Sequence, residues 1–342
     1  MQFDLTLGWY HHKWRAIYFL LLPFSWLFYV VVAARRYFYR LGWMKTYYVP
    51  VPVIVVGNLT VGGTGKTPLV IEIARLLLEH GYRPGIVSKG IGGRRHRKPH
   101  WVQANDSVKE VGDEAILLIK NTDCPLVIGV DRVAAVEHLL KQTSCNIVIS
   151  DDGLQHYRLG RQIEIAVIDG LRYFGNQQML PAGPLREPLS RIHQVDYVVI
   201  NSNEHADIWE QELKNSLPVF NMQVEPIELV SLQNGHIKNN LLNFQNKKIH
   251  AVAAIGHPER FFRMLRKYSF DIIPHRFPDH YHYQSSDLNF TDSYPVVMTE
   301  KDAVKCSFVK DERYWYLKVA VKIEKQFQEN LLIQISKVSN VC

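Results

Sequence analysis

Two hydrophobic patterns organise the chain. From residue 16 to residue 34 no position is charged, and Leu, Phe, Tyr, Trp, Val and Ile dominate. As a helix rising about 1.5 Å per residue, this run covers roughly 28 Å, close to the thickness of a bilayer's hydrocarbon core. Pro23 and Ser25 lie inside it, so a straight span, a kinked helix and a segment lying in one leaflet all fit. His11, Lys13 and Arg15 precede the run; Arg35, Arg36, Arg40 and Lys45 follow it. Trp9, Tyr10, Trp14, Tyr37, Tyr39 and Trp43 stand at its two borders, where amphipathic rings prefer to lie. The heavier basic flank on the far side predicts that the body of the protein is cytoplasmic. A buried core helix and a cleavable leader ending at Val32-Ala33-Ala34 are the competing readings.

The second pattern begins at residues 51–56, an apolar β-branched run bounded by Pro50 and Gly57 that reads as a buried parallel strand. A helix is predicted over 67–80, with Leu69, Ile73, Leu76 and Leu77 on one face and Gly81 as its stop. Short apolar runs recur at 85–88, 125–129, 146–150, 164–168 and 196–200, mostly separated by helical stretches. Strand and helix in alternation predict a parallel sheet with helices on both faces. Around 225–246 polar residues take over, which predicts a linker. The pattern restarts with a strand at 249–255, a turn at Gly256-His257-Pro258, a helix at 259–268, a strand at 296–299 and a helix at 301–306. The expected organisation is an anchor and basic flank (1–45), a P-loop core of NTPase type (46–225), a linker (226–246) and a smaller α/β domain (247–342).

Composition adds limits. At 342 residues, 47% hydrophobic and 21% charged, the chain is long enough for about two cores and too apolar to be mainly disordered. Cys124, Cys145, Cys306 and Cys342 are widely separated, which speaks against a disulfide scaffold or a structural zinc site. The net charge of +7 favours polyanionic partners without choosing among phosphates, anionic lipids and nucleic acid. No recognition motif or aromatic-interleaved basic stripe supports the last of these, and no nucleic-acid partner is expected.

The strongest local signal is Gly57-Asn58-Leu59-Thr60-Val61-Gly62-Gly63-Thr64-Gly65-Lys66-Thr67, set between the first strand and its helix. Glycines let successive backbone N–H groups turn inward around an anion, and the helix N-terminus adds partial positive charge. Thr60 stands where the strict P-loop pattern has glycine, with Gly62 and Gly63 inside the loop instead. Residues 60–67 are expected to bind ATP, Lys66 to reach its β- and γ-phosphates, and the Thr67 hydroxyl to ligate Mg²⁺. The run Ile147-Val148-Ile149-Ser150-Asp151-Asp152 supplies two candidate metal-side acids. The late strand ends in Asn201-Ser202-Asn203-Glu204, without the Asn-Lys-x-Asp base reader of a GTPase, which favours ATP.

With these blocks in view, the chain resembles the tetraacyldisaccharide 4′-kinases, membrane enzymes that phosphorylate a lipid A precursor. The resemblance runs nearly the whole length: the N-terminal apolar run, 56–68, Gly112-Asp113-Glu114, Asp151-Asp152-Gly153-Leu154-Gln155-His156 and Pro181-Ala182-Gly183-Pro184-Leu185-Arg186-Glu187-Pro188. It continues with Ile255-Gly256-His257-Pro258-Glu259-Arg260-Phe261-Phe262, Phe277-Pro278-Asp279-His280 and Met298-Thr299-Glu300-Lys301-Asp302-Ala303. The resemblance implies transfer of the ATP γ-phosphoryl group to the 4′-hydroxyl of a tetraacylated disaccharide 1-phosphate, at the cytoplasmic face of an inner membrane, by a monomer. It implies Asp113 as proton acceptor with His280 as its partner, Arg186 near the transferring phosphate, and Asp151 and Asp152 on the metal side. Gln155 and His156 would help order those acids, and Glu187 would support Arg186 or pair with it. A membrane-tethered P-loop ATPase acting as a switch is the rival from a different class.

Two blocks depart from the family pattern. Ser-Arg-Gly-Tyr-Gly reads Ser88-Lys89-Gly90-Ile91-Gly92 here, which keeps a charge but loses a planar donor fork and an aromatic ring. His257 stands where Asn is usual, expected to alter turn chemistry only. The basic run Arg94, Arg95, His96, Arg97 and Lys98 is either a headgroup contact or a solvated loop.

Overall fold

The computed structural model describes residues 5–10, 15–94, 96, 98–202 and 208–339. Readings that fall on residues 11–14, 95, 97, 203, 204 and 342 lie outside the described residues.

Helices α1 (Leu5–Tyr10) and α2 (Arg15–Arg40) precede strand β1 (Val53–Gly57), helix α3 (Lys66–Glu79) and strands β2 (Pro84–Ser88) and β3 (His100–Trp101). Then come α4 (Val108–Val111), α5 (Asp113–Asn121), β4 (Leu126–Ile128), α6 (Arg132–Gln142), β5 (Ile147–Asp151), β6 (Ile163–Asp169) and β7 (Tyr197–Asn201). The later part holds α7 (Ile208–Lys214), β8 (Val219–Ser231), β9 (Lys238–Asn239), β10 (Lys248–Ala253), α8 (Pro258–Lys267) and β11 (Asp271–Arg276). It ends with β12 (Val296–Thr299), α9 (Glu300–Ala303), β13 (Tyr314–Ile323) and α10 (Lys325–Ser339).

Among the described residues, thirteen strands join in one mixed sheet, ordered β11-β10-β12-β13-β8-β7-β6-β1-β5-β2-β4-β3 with β9 beside β8. Most pairings are parallel, as the alternation of strands and helices predicts. The β3–β4, β8–β9 and β8–β13 pairs are antiparallel. Strand β1 lies centrally, flanked by β5 and β6, and every residue of β1 is buried. Doubly covered strands of this kind read as unbroken apolar runs. Helix α3 buries Leu69, Val70, Ile73, Ala74, Leu76 and Leu77 and stops at Gly81, whose φ is +78°.

The linker expected over 226–246 is not one. Its first residues complete β8, which pairs with β7 through Val219–Met222 and with β13 through Met222–Ser231. One strand therefore carries both halves of the sheet. The polar stretch misled because β8 is half-exposed in its middle and contains Pro226, which lacks an N–H and reads as a breaker. The register shifts between Lys318 and Val319, whose partners are Glu228 and Pro226; Ile227 is the extra residue and points half into solvent. Helix α10, at the end of the segment expected to form the smaller domain, returns to the first half: Phe327, Leu331 and Ile335 pack in one core with Ile54, Leu69 and Ile73.

Helix α2 runs through Pro23 without a break. Its segment Tyr18–Arg40 is long and apolar enough to cross a membrane, with few of its residues buried against the protein. Phe19, Phe24, Trp26, Leu27, Val30 and Val31 are exposed, whereas Ser25, Phe28 and Val32 share one face that docks on the body. The Ser25 hydroxyl donates to the Met179 carbonyl (2.9 Å) and accepts from the Ala182 N–H (2.9 Å).

Candidate active site

The loop after β1 folds around Asn58, which is fully buried. Its amide donates to the Gly62 carbonyl (3.3 Å), and its Oδ1 accepts from the Lys66 ammonium (3.1 Å) and from Arg186. Gly65 precedes α3 at φ +97°, where a Cβ would fall 2.3 Å from the Asn201 side-chain nitrogen; glycine is required there. That Asn201 nitrogen donates to the Thr64 carbonyl (3.0 Å) from the end of β7.

The turn at 181–188 is pinned against this loop. Val61 N–H donates to the Pro184 carbonyl (2.8 Å), and Arg186 N–H donates to the Leu59 carbonyl (2.7 Å). Arg186 then forks onto Asp152, at 3.0 and 2.9 Å, the planar bidentate geometry in which Arg exceeds Lys. Lys66 Nζ lies 3.5 Å from the same carboxylate. Burial opposes ionisation of Asp152, but Lys66 and Arg186 outweigh it and hold its carboxyl far below the usual range. Asp151, at the end of β5, is displaced the other way: burial first, then the charges of Glu114 and Asp152, raise it. Its Oδ1 and the Thr64 hydroxyl have no hydrogen-bond partner among the described residues. Thr64, Thr67 and Asp152 line the phosphate-loop cleft, with Asp151 buried as the residue before Asp152, and this set of hydroxyl and carboxylate oxygens fits a hard divalent cation.

Gln155 donates to the Asn58 carbonyl (3.1 Å) rather than to either aspartate. His156 is held neutral, its pKa brought down to about 3 by burial and then by the charge of Arg132. Glu187 turns away from Arg186: it accepts from the Tyr157 hydroxyl (2.8 Å) and lies 3.8 Å from Arg36 of α2.

The other half of the sheet supplies the opposite wall. The turn after β10 touches the phosphate loop, and a Cβ on Gly256 would sit 2.5 Å from the Gly63 nitrogen. His257 contributes more than turn chemistry: its Nδ1 lies 2.9 Å from Asp169, a carboxylate that also accepts from Arg260 (2.6 Å). Burial works against the Asp169 charge, yet His257 and Arg260 keep its pKa depressed.

Asp113 opens α5 after Gly112 and is 2% exposed. His280 Nδ1 reaches its two carboxylate oxygens at 3.1 and 3.0 Å, bringing together residues far apart in sequence. His280 and Asp152 both hold positive φ, at +58° and +49°, a conformation costly for non-glycine residues and concentrated at functional sites. Sequence reasoning missed the lysines around this pair. Lys305 Nζ lies 3.8 Å and Lys301 Nζ 4.0 Å from Asp113, and Lys301 also meets Glu114 at 3.1 Å. The only signal for Lys301 was its place in the Thr299-Glu300-Lys301-Asp302 block; Lys305 lies just beyond it.

Burial raises the Asp113 pKa, but the His280 hydrogen bond and the Lys301 charge more than offset this and lower it overall. The Asp113 hydrogen bond raises His280 against the cost of burial. The Asp113 contribution to stability is present above the unfolded value of 3.8 and lost as pH falls through the depressed folded one. That of His280 is present below 6.5 and lost as pH rises through the elevated folded value. A double-mutant cycle with Asp113→Asn and His280→Gln, read by thermal unfolding, is expected to show stronger coupling at about pH 5.5 than at about pH 9. Equal coupling at both values would remove the charged pair.

These elements line a cleft of about 470 Å³ between the phosphate loop and the second half of the sheet. Its lining combines Lys66, Asp152, Arg186, His280 and Lys301 with apolar Ile91, Leu117, Phe261 and Met264. Fold and cleft together define a P-loop nucleotide-binding protein with a second lobe facing its phosphate site. The family model for tetraacyldisaccharide-1-P 4′-kinase matches residues 17–336. Curated relatives named tetraacyldisaccharide 4′-kinase include one from Nitrosococcus oceani, 49% identical over 92% of this chain and 89% of its own length. Another, from Coxiella burnetii, is 44% identical over 93% and 91%. The crystal structure of LpxK from Aquifex aeolicus in complex with ATP superposes with a TM-score of 0.76 at 29% identity, covering 93% of this chain and 99% of that one. The chain belongs to the tetraacyldisaccharide-1-P 4′-kinase family, and it is a kinase of lipid A biosynthesis.

Proposed function

We propose that this chain transfers the γ-phosphoryl group of ATP to the 4′-hydroxyl of a tetraacylated glucosamine disaccharide 1-phosphate, with Asp113 as proton acceptor. The observation that carries the residue assignment is the Asp113–His280 pair, at 3.0 Å, whose His280 lines the same cleft as Lys66 of the phosphate loop. An alcohol is a poor nucleophile at neutral pH, so a carboxylate must orient it and take its proton. Asp113 remains ionised at neutral pH because its partners lower its pKa. His280 holds that carboxylate in one orientation and keeps the second lobe against it. As the 4′-oxygen bonds to the γ-phosphorus, the bond to the β-phosphate oxygen breaks, ADP leaves and the hydroxyl proton passes to Asp113. Residues 60–67 cradle the phosphates, and Lys66 and Arg186 meet the charge that spreads over the transferring group.

Thr67, Asp151 and Asp152 are the residues that would hold Mg²⁺, which would neutralise phosphate charge in the cleft. Helix α2 anchors the enzyme in the inner membrane with the cleft on the cytoplasmic side, and a single copy suffices for the chemistry. A four-chain lipid leaves the bilayer reluctantly, so the cleft must come to it. The test is transfer of label from γ-³²P-ATP to a synthetic acylated disaccharide 1-phosphate, read after lipid extraction. Label in the lipid is the expected result. Label appearing solely as inorganic phosphate would overturn the proposal in favour of a membrane-tethered ATPase.

A further inference from the structure

Where α2 meets the body, beside Tyr157, lies a second cavity of about 330 Å³ that the kinase chemistry leaves unused. Four of its lining residues are arginines (Arg36, Arg40, Arg161 and Arg191) against two acids, Glu164 and Asp196. Arg36 and Arg40 come from consecutive turns of α2 and both donate to one neutral atom, Gln194 Oε1, at 2.7 and 2.8 Å. Glu187, 3.8 Å from the Arg36 Nε, offsets one of these charges, whereas Arg40 has the Gln194 amide as its side-chain acceptor, and an anion between the two guanidinium groups would relieve their repulsion. Arg191 is 3% exposed; its Nη2 meets Glu164 at 2.5 Å, and the neutral Tyr157 hydroxyl lies beside its remaining donors, which form no well-aligned hydrogen bond. Buried guanidinium donors without well-aligned acceptors are costly, and a ligand oxygen would satisfy them.

The location narrows the ligand. The cavity sits at the basic end of the membrane-length segment, with Trp43 and Tyr48 exposed nearby at 74% and 73%. Exposed aromatic rings beside arginines at the end of such a helix mark headgroup depth. We propose that this cavity binds the phosphate of an anionic phospholipid headgroup, a site separate from the catalytic cleft, with Arg36 and Arg40 as its fork and Arg191 as its buried floor. The inference rests on reading α2 as a membrane anchor and is independent of the residue roles assigned to the cleft.

The experiment uses the full chain in neutral detergent, titrated with phosphatidylglycerol or phosphatidylcholine and read by native mass spectrometry. Preferential retention of phosphatidylglycerol is expected. Gln194→Glu places a carboxylate between Arg36 and Arg40 and is expected to weaken that retention about tenfold, as is Arg40→Gln. Both changes lie on the exposed rim, and thermal unfolding checks that the fold is kept. Equal retention of the two lipids, or retention unchanged in both variants, overturns the proposal. A rise in KM for the disaccharide 1-phosphate in Gln194→Glu, with phosphatidylglycerol retention unchanged, also overturns it and assigns the cavity to the substrate's own phosphate. Kinase activity in neutral micelles is expected to persist in both variants, so loss of the lipid site and loss of the kinase reading are told apart.

Discussion

Asp113→Ala is expected to lower kcat by about 10²–10⁴-fold, the range that a positioned proton acceptor contributes, with little change in the KM for ATP. The split follows from where the group stands. Asp113 stands apart from the phosphate loop, bound to the cleft-lining His280 and near Lys301 and Lys305, and among the described residues none of the hydrogen bonds that shape residues 58–66 passes through it. The change also removes the acid beside Lys305, a side chain only 2% exposed. Lys305 keeps Asp302 at 2.8 Å, so a residual fold is expected, and Asp113→Asn, which preserves shape, controls for packing. Steady-state kinetics with labelled ATP, paired with thermal unfolding, checks the result. Turnover within a few-fold of the parent in Asp113→Ala would remove Asp113 as the base.

Lys66→Ala is expected to abolish measurable turnover, a fall of at least about 10³-fold. Removing one preorganised donor to developing charge costs about 10²–10³-fold, and here the same side chain also orders the loop. Lys66 links Asn58 and Asp152, and Asn58 in turn receives Gln155 and Arg186. Without the ammonium, Asp152 keeps its fork with Arg186. Calorimetric titration with ATP should show weakened binding alongside the lost turnover. A variant that still phosphorylates within tenfold of the parent would mean that the loop does not act on the transferring phosphate.

Much of this arrangement was legible in the residues. The strands at 51–56, 146–150 and 164–168 match β1, β5 and β6 to within a few positions, because doubly covered parallel strands leave continuous apolar runs. The glycine loop was legible for a different reason: only glycine tolerates the conformation at Gly65. The boundary near residue 225 was misread because β8 alternates burial and carries Pro226, and both features imitate a linker. Strand β11 was missed because Pro274 breaks its pattern, which an edge strand tolerates. In the site, local motifs pointed to the loop and the paired aspartates. The lysines around Asp113 had no such motif, because their meaning comes from a contact across the cleft that no spacing encodes. His257 was read as a turn residue for the same reason, since Asp169 is distant in sequence.

The unbroken course of β8 through both halves of the sheet restricts how the cleft moves. Two bodies joined by a loose tether swing apart at little cost, but here the halves hold opposite ends of one two-stranded ribbon, so a swing must bend or twist the β8–β13 pair, which runs from Trp315 to Ile323. The pair acts instead as a torsion bar. Opening and closing become a change of twist along two paired strands, with most give where Ile227 interrupts the register. The two walls of the cleft, His280 on one half of the sheet and Lys66 on the other, are thus coupled through the twist of one ribbon.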